Sequence, residues 1–332
     1  MLRKKGRLPA SEYIESILRG DRVTLARAIT VIESARPADA ELAQQILDAV
    51  LSHTGRSYRV GITGVPGGGK STLIDALGMH LIRDCGETVA VLSVDPSSPV
   101  SGGSILGDKT RMDRLAVEEN AFIRPSPARG HLGGVARRTR ESILLCEAAG
   151  FTNILVETVG VGQSETEVRS MTDFFLLLMI AGAGDELQGI KRGIIEMLDG
   201  MVINKADGDN KARAERDRAE YARALRLFPP DPDGWIPQVL TCSALENTGI
   251  AEVWQMVRDH HSQQTATGCF EKRRRAQTLD WMHQLIDTGL NDMFREDTKV
   301  QSRLPELARR VQQGEVSTLT AAQELLNAFR KG

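Results

Sequence analysis

Residues 60–77 read Val60-Gly-Ile-Thr-Gly-Val-Pro-Gly-Gly-Gly-Lys-Ser-Thr-Leu-Ile-Asp-Ala-Leu77. An apolar run enters a glycine-rich bend, and apolar residues at helical spacing leave it. Gly64, Val65, Pro66, Gly67, Gly68, Gly69, Lys70 and Ser71, followed by Thr72, fill the Gly-x-x-x-x-Gly-Lys-Ser spacing of a phosphate loop. Strand, loop and helix in that order are the setting the spacing requires. Glycines let backbone N–H groups turn towards phosphate oxygens, and the helix start adds a favourable dipole. Lys70 is then the side chain for the β- and γ-phosphates, and the Ser71 hydroxyl is a ligand for Mg2+. The stretch predicts a nucleoside triphosphate site and leaves the base open.

Outward from this loop, strand-like runs alternate with helical stretches. Strands are expected at 58–63, 88–94, 121–123, 153–157, 174–180, 201–204 and 238–242, and helices at 72–84, 134–149, 188–198 and 210–227. Several of the strand candidates are apolar throughout, as in a parallel sheet covered on both faces. The fold class is therefore α/β, a doubly wound and mostly parallel sheet. Both flanks are helical: Tyr13, Ile14, Ile17 and Leu18 recur at helical spacing before the core, and Trp281, Met282, Leu285, Ile286 and Leu290 after it. The expected division is an N-terminal helical arm over 1–55, a P-loop domain over 56–262 and a C-terminal helical segment over 263–332.

Composition narrows the partners. The net charge of −2 gives no global basic field to hold nucleic acid or an anionic membrane. The longest apolar run, 174–181, falls far short of the roughly 20 residues of a spanning helix. The basic start, with Arg3, Lys4, Lys5 and Arg7, is followed by no apolar stretch of the kind a secretory signal has. Cys85, Cys146, Cys242 and Cys269 form no Cys-x-x-Cys pair and read as free thiols in a reducing cytoplasm. Of the histidines only His260 and His261 are neighbours, and adjacent helical residues face apart, so a transition-metal site is not expected. A cytoplasmic protein without nucleic-acid or membrane partners is the expectation.

A second motif names the base. Asn204-Lys205-Ala206-Asp207 comes directly after Met201-Val-Ile203, at the end of a strand candidate. A carboxylate at Asp207 accepts both guanine N1–H and the exocyclic amino group, and adenine offers no such pair of donors. A site built around acceptors rejects a ligand that leaves them unpaired. The Lys205 stem is placed to lie over the base, and Asn204 to tether neighbouring loops. Ser243-Ala244-Leu245 after the last strand is the second base loop, where a backbone N–H would meet guanine O6.

Three carboxylates suit the metal. Asp95 follows the second strand, Asp108 lies in the loop 102–109, and Glu157 ends the strand 153–157. Mg2+ takes oxygen ligands, and a strand-end carboxylate beside a phosphate loop is the usual one. Ser71, Asp108 and Glu157 are the expected metal shell, with Asp95 in the first or second shell or, alternatively, capping the turn Asp-Pro-Ser-Ser-Pro. Glu157-Thr-Val-Gly160 resembles an Asp-x-x-Gly switch with Glu for Asp, which would bring the Gly160 N–H to the γ-phosphate. Gln163 either positions water or is a solvated loop residue.

Together these residues closely resemble the MeaB/CblA (methylmalonic aciduria type A, or ArgK-type) proteins, within the metallochaperone-like branch of the SIMIBI GTPases. The resemblance rests on 64–72, Val-Asp-Pro-Ser-Ser-Pro (94–99), Leu-Gly-Asp-Lys-Thr-Arg-Met (106–112), Leu-Gly-Gly-Val-Ala (132–136), 157–165, Gly-Asp-Glu-Leu-Gln-Gly-Ile-Lys (184–191) and 204–207. Arg129-Gly-His131 departs slightly, and a loop histidine is the plain reading of His131. The resemblance implies a GTP-hydrolysing chaperone of adenosylcobalamin-dependent methylmalonyl-CoA mutase that gates cofactor loading and protects or reactivates the enzyme. Its ligands would be Mg2+ and GTP or GDP, with no cobalamin bound directly. Hydrolysis would be slow alone and faster with the mutase. The resemblance also implies switch loops at 95–110, 157–169 and 181–192, a homodimer through the C-terminal helices, and Lys191 as a transition-state charge stabiliser, against the simpler reading of a solvated helix lysine.

Other functions fit less well. Another cobalamin-dependent acyl-CoA mutase, of the isobutyryl-CoA type, is an alternative client. A nickel metallochaperone would carry Cys/His clusters, which this chain lacks. A transport ATPase, the older name for such sequences, is opposed by Asn204–Asp207, and a non-hydrolysing scaffold by Lys70, Ser71 and Glu157.

Overall fold

The apolar runs become the strands of one parallel sheet, because helices bury both of its faces and leave no position for polar alternation. The computed structural model describes residues 7–34, 36–94, 112–125, 132–158, 164–182, 192–228 and 234–330. Its strands are β1 (Tyr58–Gly64), β2 (Val89–Val94), β3 (Ala121–Arg124), β4 (Asn153–Thr158), β5 (Phe174–Ile180), β6 (Gly200–Asn204) and β7 (Gln238–Thr241). They lie in the order β3-β2-β4-β1-β5-β6-β7, and each neighbouring pair is parallel. After β4 the chain crosses to the far side of β1 and builds outward again. The carboxyl end of β1 is thus a topological switch point, where open α/β sheets bind ligands.

The helices are α1 (Ala10–Leu18), α2 (Arg22–Ile32), α3 (Pro37–Val50), α4 (Lys70–Arg83), α5 (Leu132–Ala148), α6 (Ser164–Arg169), α7 (Arg192–Ile195), α8 (Lys211–Leu225), α9 (Ile250–Ala266), α10 (Cys269–Glu296), α11 (Thr298–Gln312) and α12 (Thr318–Arg330). One apolar cluster joins Tyr13, Ile17, Leu25, Ile29 and Ile46 of α1–α3 to Leu92, Ile154, Phe175 and Met201 of the sheet. The N-terminal arm therefore shares a core with the strands, and α2 and α3 pack on α5. A second cluster places Leu73 and Leu77 of α4 and Val253, Trp254 and Val257 of α9 against Val60, Ile62, Val91, Phe174 and Val202. The expected helix at 72–84 starts two residues earlier, at Lys70, because Gly69 takes the left-handed conformation just before it (φ 86°). Of the stretch 188–198 only the turn Arg192–Ile195 is described as helix.

The chain divides into two compact units, Met1–Arg273 and Arg274–Gly332. The second has a small core of Val300, Leu307, Ala321 and Leu325, with the rings of Phe294 and Phe329 edge to face at 5.5 Å. Asp297 caps α11 by accepting the N–H of Lys299 and Val300, both at 2.9 Å.

At the amino ends of β5 and β6, opposite the phosphate loop, Asp199 is fully buried. Its carboxylate accepts the Phe175 N–H at 2.8 Å and a two-pronged ion pair from Arg169 at 2.9 and 3.1 Å. Removing one partner of a buried ion pair strands the other. Asp199→Ala should therefore cost about 3 kcal/mol, seen as a lower urea midpoint.

Candidate nucleotide site

Gly64 closes β1, and its main chain lies so near β5 that an added Cβ would sit 2.2 Å from the Leu178 carbonyl oxygen. Val65 N–H donates to that same oxygen at 3.3 Å, and Gly68 N–H turns back to the Val65 carbonyl at 3.1 Å. The loop is thereby curled over the carboxyl end of β1 and delivered into the first turn of α4, whose N–H groups have no partners within the helix. A Cβ on Gly69 would meet the Asn204 amide nitrogen at 2.7 Å. Pro66 and Gly67 form the exposed tip, and Thr72 is exposed on the first turn of α4.

Lys70 is buried. Its Nζ donates to the carbonyls of Gly64 at 2.8 Å and Val65 at 3.2 Å, so the ammonium lies inside the curl of the loop. Burial pulls its pKa down, and the negative charges of Glu157 and Glu165 oppose that. Glu157 stands level with Ile62 of β1 and Ser93 of β2. The Ser71 hydroxyl donates to its Oε1 at 3.2 Å, joining two residues 86 positions apart. A hydroxyl and a carboxylate side by side are hard oxygen donors, and this pair fits Mg2+.

The base loops meet the phosphate loop through one side chain. Asn204, buried at the end of β6, donates from Nδ2 to the Gly68 carbonyl at 2.9 Å. Its Oδ1 accepts the Ala244 N–H at 3.1 Å and the Cys242 thiol at 3.5 Å. Burial pushes that thiol up to about 12, which keeps it a proton donor. Lys205 is exposed and left-handed at φ 59°, a conformation uncommon for a residue with a side chain. Asp207 is half-buried. Its Oδ2 accepts the Ser243 hydroxyl at 2.6 Å, and Ser243 Oγ in turn accepts the Glu246 N–H at 3.1 Å. Leu245 is 83% exposed at the rim.

Lys70, Ser71, Glu157, Asn204, Asp207 and Ser243 thus come together at one edge of the sheet. Asp95, Asp108, Gly160, Gln163, His131 and Lys191 lie outside the described residues. Three contributors were given no role by the sequence reading, although Thr158 and Glu165 fall within the quoted stretch 157–165. Cys242 holds Asn204, Glu165 is buried on the first turn of α6, and Thr158 donates its hydroxyl to Thr63 at 2.8 Å beneath the site. An acidic residue in the first turn of a helix directly after the 157–160 motif was the available signal for Glu165.

Comparison with known proteins places the chain. The family model described as "Methylmalonyl Co-A mutase-associated GTPase MeaB" matches residues 25–299. GTPase ArgK of Escherichia coli is 52% identical over 86% of this chain and 86% of its own. The mitochondrial methylmalonic aciduria type A homolog of Mus musculus is 45% identical over 95% of this chain and 78% of its own. A crystal structure titled as a LAO/AO transport system kinase superposes with a TM-score of 0.78 at 39% identity, covering 98% of this chain and 99% of that one. With the phosphate loop, the strand-end glutamate and the Asn-Lys-x-Asp loop assembled on one parallel sheet, the chain belongs to the MeaB family of methylmalonyl-CoA mutase-associated GTPases.

Proposed function

We propose that this chain binds GTP with Mg2+ at the carboxyl edge of its sheet, hydrolyses it to GDP and phosphate, and uses that cycle as a chaperone of methylmalonyl-CoA mutase. The observation that carries the reading is the meeting of both motifs on Asn204. Its amide holds Gly68 on one side and Ala244 on the other, so the phosphate half and the base half belong to one site.

The loop N–H groups and Lys70 hold the β- and γ-phosphates. Ser71 and Glu157 would hold Mg2+, helped by Asp95 and Asp108. That ion, when bound, neutralises charge on the β- and γ-oxygens. Gly160 N–H would serve the γ-phosphate and Lys191 would stabilise the charge that develops as water attacks, as the resemblance implies. Asp207, fixed by the Ser243 hydroxyl, accepts guanine N1–H and the amino group, while a backbone N–H of 243–245 meets O6. Loops tied to the γ-phosphate and released on hydrolysis are the usual way such a site reports its state. The mutase named in the family description is the natural listener, with adenosylcobalamin loading and protection of the enzyme as the gated steps.

A second copy of the chain is proposed as a further partner. The 28-residue helix α10 has no buried residue, and Leu279, Met282, Ile286, Leu290 and Met293 are 56, 47, 49, 52 and 60% exposed along it. Their three- and four-residue spacing is that of a helix–helix seam.

Three measurements test these readings. Asp207→Asn should weaken GTP binding about 10- to 100-fold and favour xanthosine triphosphate in titration calorimetry; unchanged GTP affinity sinks the guanine assignment. Methylmalonyl-CoA mutase should bind the chain and raise its phosphate release, with an isobutyryl-CoA mutase assayed in parallel as the other client; no binding and no rate change with either removes the chaperone role. The double variant Met282→Glu/Ile286→Glu should halve the mass in light scattering, and an unchanged dimer would put the interface elsewhere.

A further inference from the structure

Helix α4 begins at Lys70 in the phosphate loop and ends at Arg83, so its last turn lies about 20 Å from its first. The chain leaves it through Asp84, Cys85 and Gly86. Asp84 and Cys85 both donate their N–H to the His80 carbonyl, at 2.9 and 3.2 Å, and Glu87 N–H turns back to the Leu81 carbonyl at 2.9 Å. Gly86 takes the left-handed conformation with which helices commonly end (φ 70°).

This bend sets three side chains in a row. His80 Nδ1 and the Asp84 carboxylate are 2.6 Å apart. A carboxylate only accepts, so Nδ1 carries the proton and Nε2 is left as an acceptor. Nε2 faces the Cys85 thiol at 3.8 Å, within reach of a sulfur donor. A thiol, a base beside it and a third group orienting the base form the arrangement that activates a cysteine. The His80 side chain is 15% exposed and that of Asp84 63%, so the row stands at the surface. A Cβ on Gly86 would meet no atom within 4 Å, which leaves open space beside the bend.

The other thiols are placed differently. Cys146 and Cys242 are buried, and burial holds both protonated. Cys269 is partly exposed, as Cys85 is, and among the described residues no histidine bonds to it. Burial pushes the Cys85 thiol up as well; Glu87 and Asp84 add to this, and Arg258 of α9 opposes it. Cys85 therefore keeps its proton unless a base accepts it, and His80 is the base in contact.

We propose that Cys85 is a thiol-exchange site: with His80 as its base and Asp84 holding that base in place, it takes up one half of a small disulfide. The Cys85 proton passes to His80 Nε2, and the sulfur attacks one sulfur of the disulfide. A new S–S bond joins Cys85 to that half. The old S–S bond breaks, its electron pair leaves with the other half, and that thiolate takes the proton from His80. Cys85 is oxidised, the departing sulfur is reduced, and the disulfide is the only oxidant required. Exchange of this kind needs a thiolate and access to it, and the bend supplies both.

The test is exposure of the full-length protein to oxidised glutathione, with the mixed disulfide at each cysteine followed in time by mass spectrometry. Cys269 is the internal standard, and circular dichroism confirms folding. Near neutral pH Cys85 should react about tenfold faster than Cys269, the gain in thiolate that one pKa unit brings. His80→Gln should remove that advantage and leave the Cys269 rate unchanged, and Asp84→Asn should fall between the two. The pH profile separates a base from a merely structural neighbour. Proton transfer inside the pair does not depend on pH, so the wild-type rate should be nearly level from about pH 7 to pH 8, whereas the rate in His80→Gln should climb about tenfold as the thiol ionises by itself. Cys85 reacting no faster than Cys269, or equal rates and profiles in wild type and folded His80→Gln, overturns the inference. Should His80→Gln not fold, the wild-type profile decides: a tenfold climb over that range overturns it as well.

Discussion

The main chain of Gly64 runs against the Leu178 carbonyl at a separation that no side chain could enter. The site is built upward from that approach. Because β1 and β5 meet so closely at their carboxyl ends, Val65 N–H can bond to Leu178, Gly68 can fold back on Val65, and the loop closes tightly enough for the Lys70 ammonium to rest on the carbonyls of residues 64 and 65. The order of the strands does the rest. With β4 on one side of β1 and β5 and β6 on the other, Glu157 and Asn204 arrive at the same edge from opposite directions. A substitution at Gly64 would separate two strands before it disturbed any ligand.

Polar side chains finish what the close approach begins. Asn204 uses both ends of its amide, and Ser243 uses its hydroxyl both as donor to Asp207 and as acceptor from Glu246. Each such bond adds only about 1 kcal/mol, but leaving any of these buried groups unpaired would cost more. The loops around the site therefore stand or fall as a set, and a change in one is felt in the others.

The strands were legible in the sequence because a sheet covered on both faces leaves uninterrupted apolar runs, and residues 174–180 show this most plainly. Lys70, Ser71, Asn204 and Asp207 were legible because their chemistry demands fixed spacings. What could not be read was which surfaces the amphipathic helices cover. The stripe of Tyr13 and Ile17 announces a buried face and does not say that the helix packs on α2, α3 and α5, in a core shared with the sheet. The anchor at Asp199 was equally hidden. An aspartate before a glycine has the look of a turn, and only the return of β5 beside β6 shows it to be fully buried. Arg169 and Glu165 sit in a charged stretch whose composition suits any solvated helix.

The place of α1–α3 bears on how the protein is made. These helices leave the ribosome before α5, the helix they pack against, which is synthesised roughly 100 residues later. At roughly 5–20 residues per second, the apolar sides of Tyr13, Leu25 and Ile46 wait several seconds for their partners. During that interval those apolar sides are open to wrong associations and offer a cellular holdase a grip.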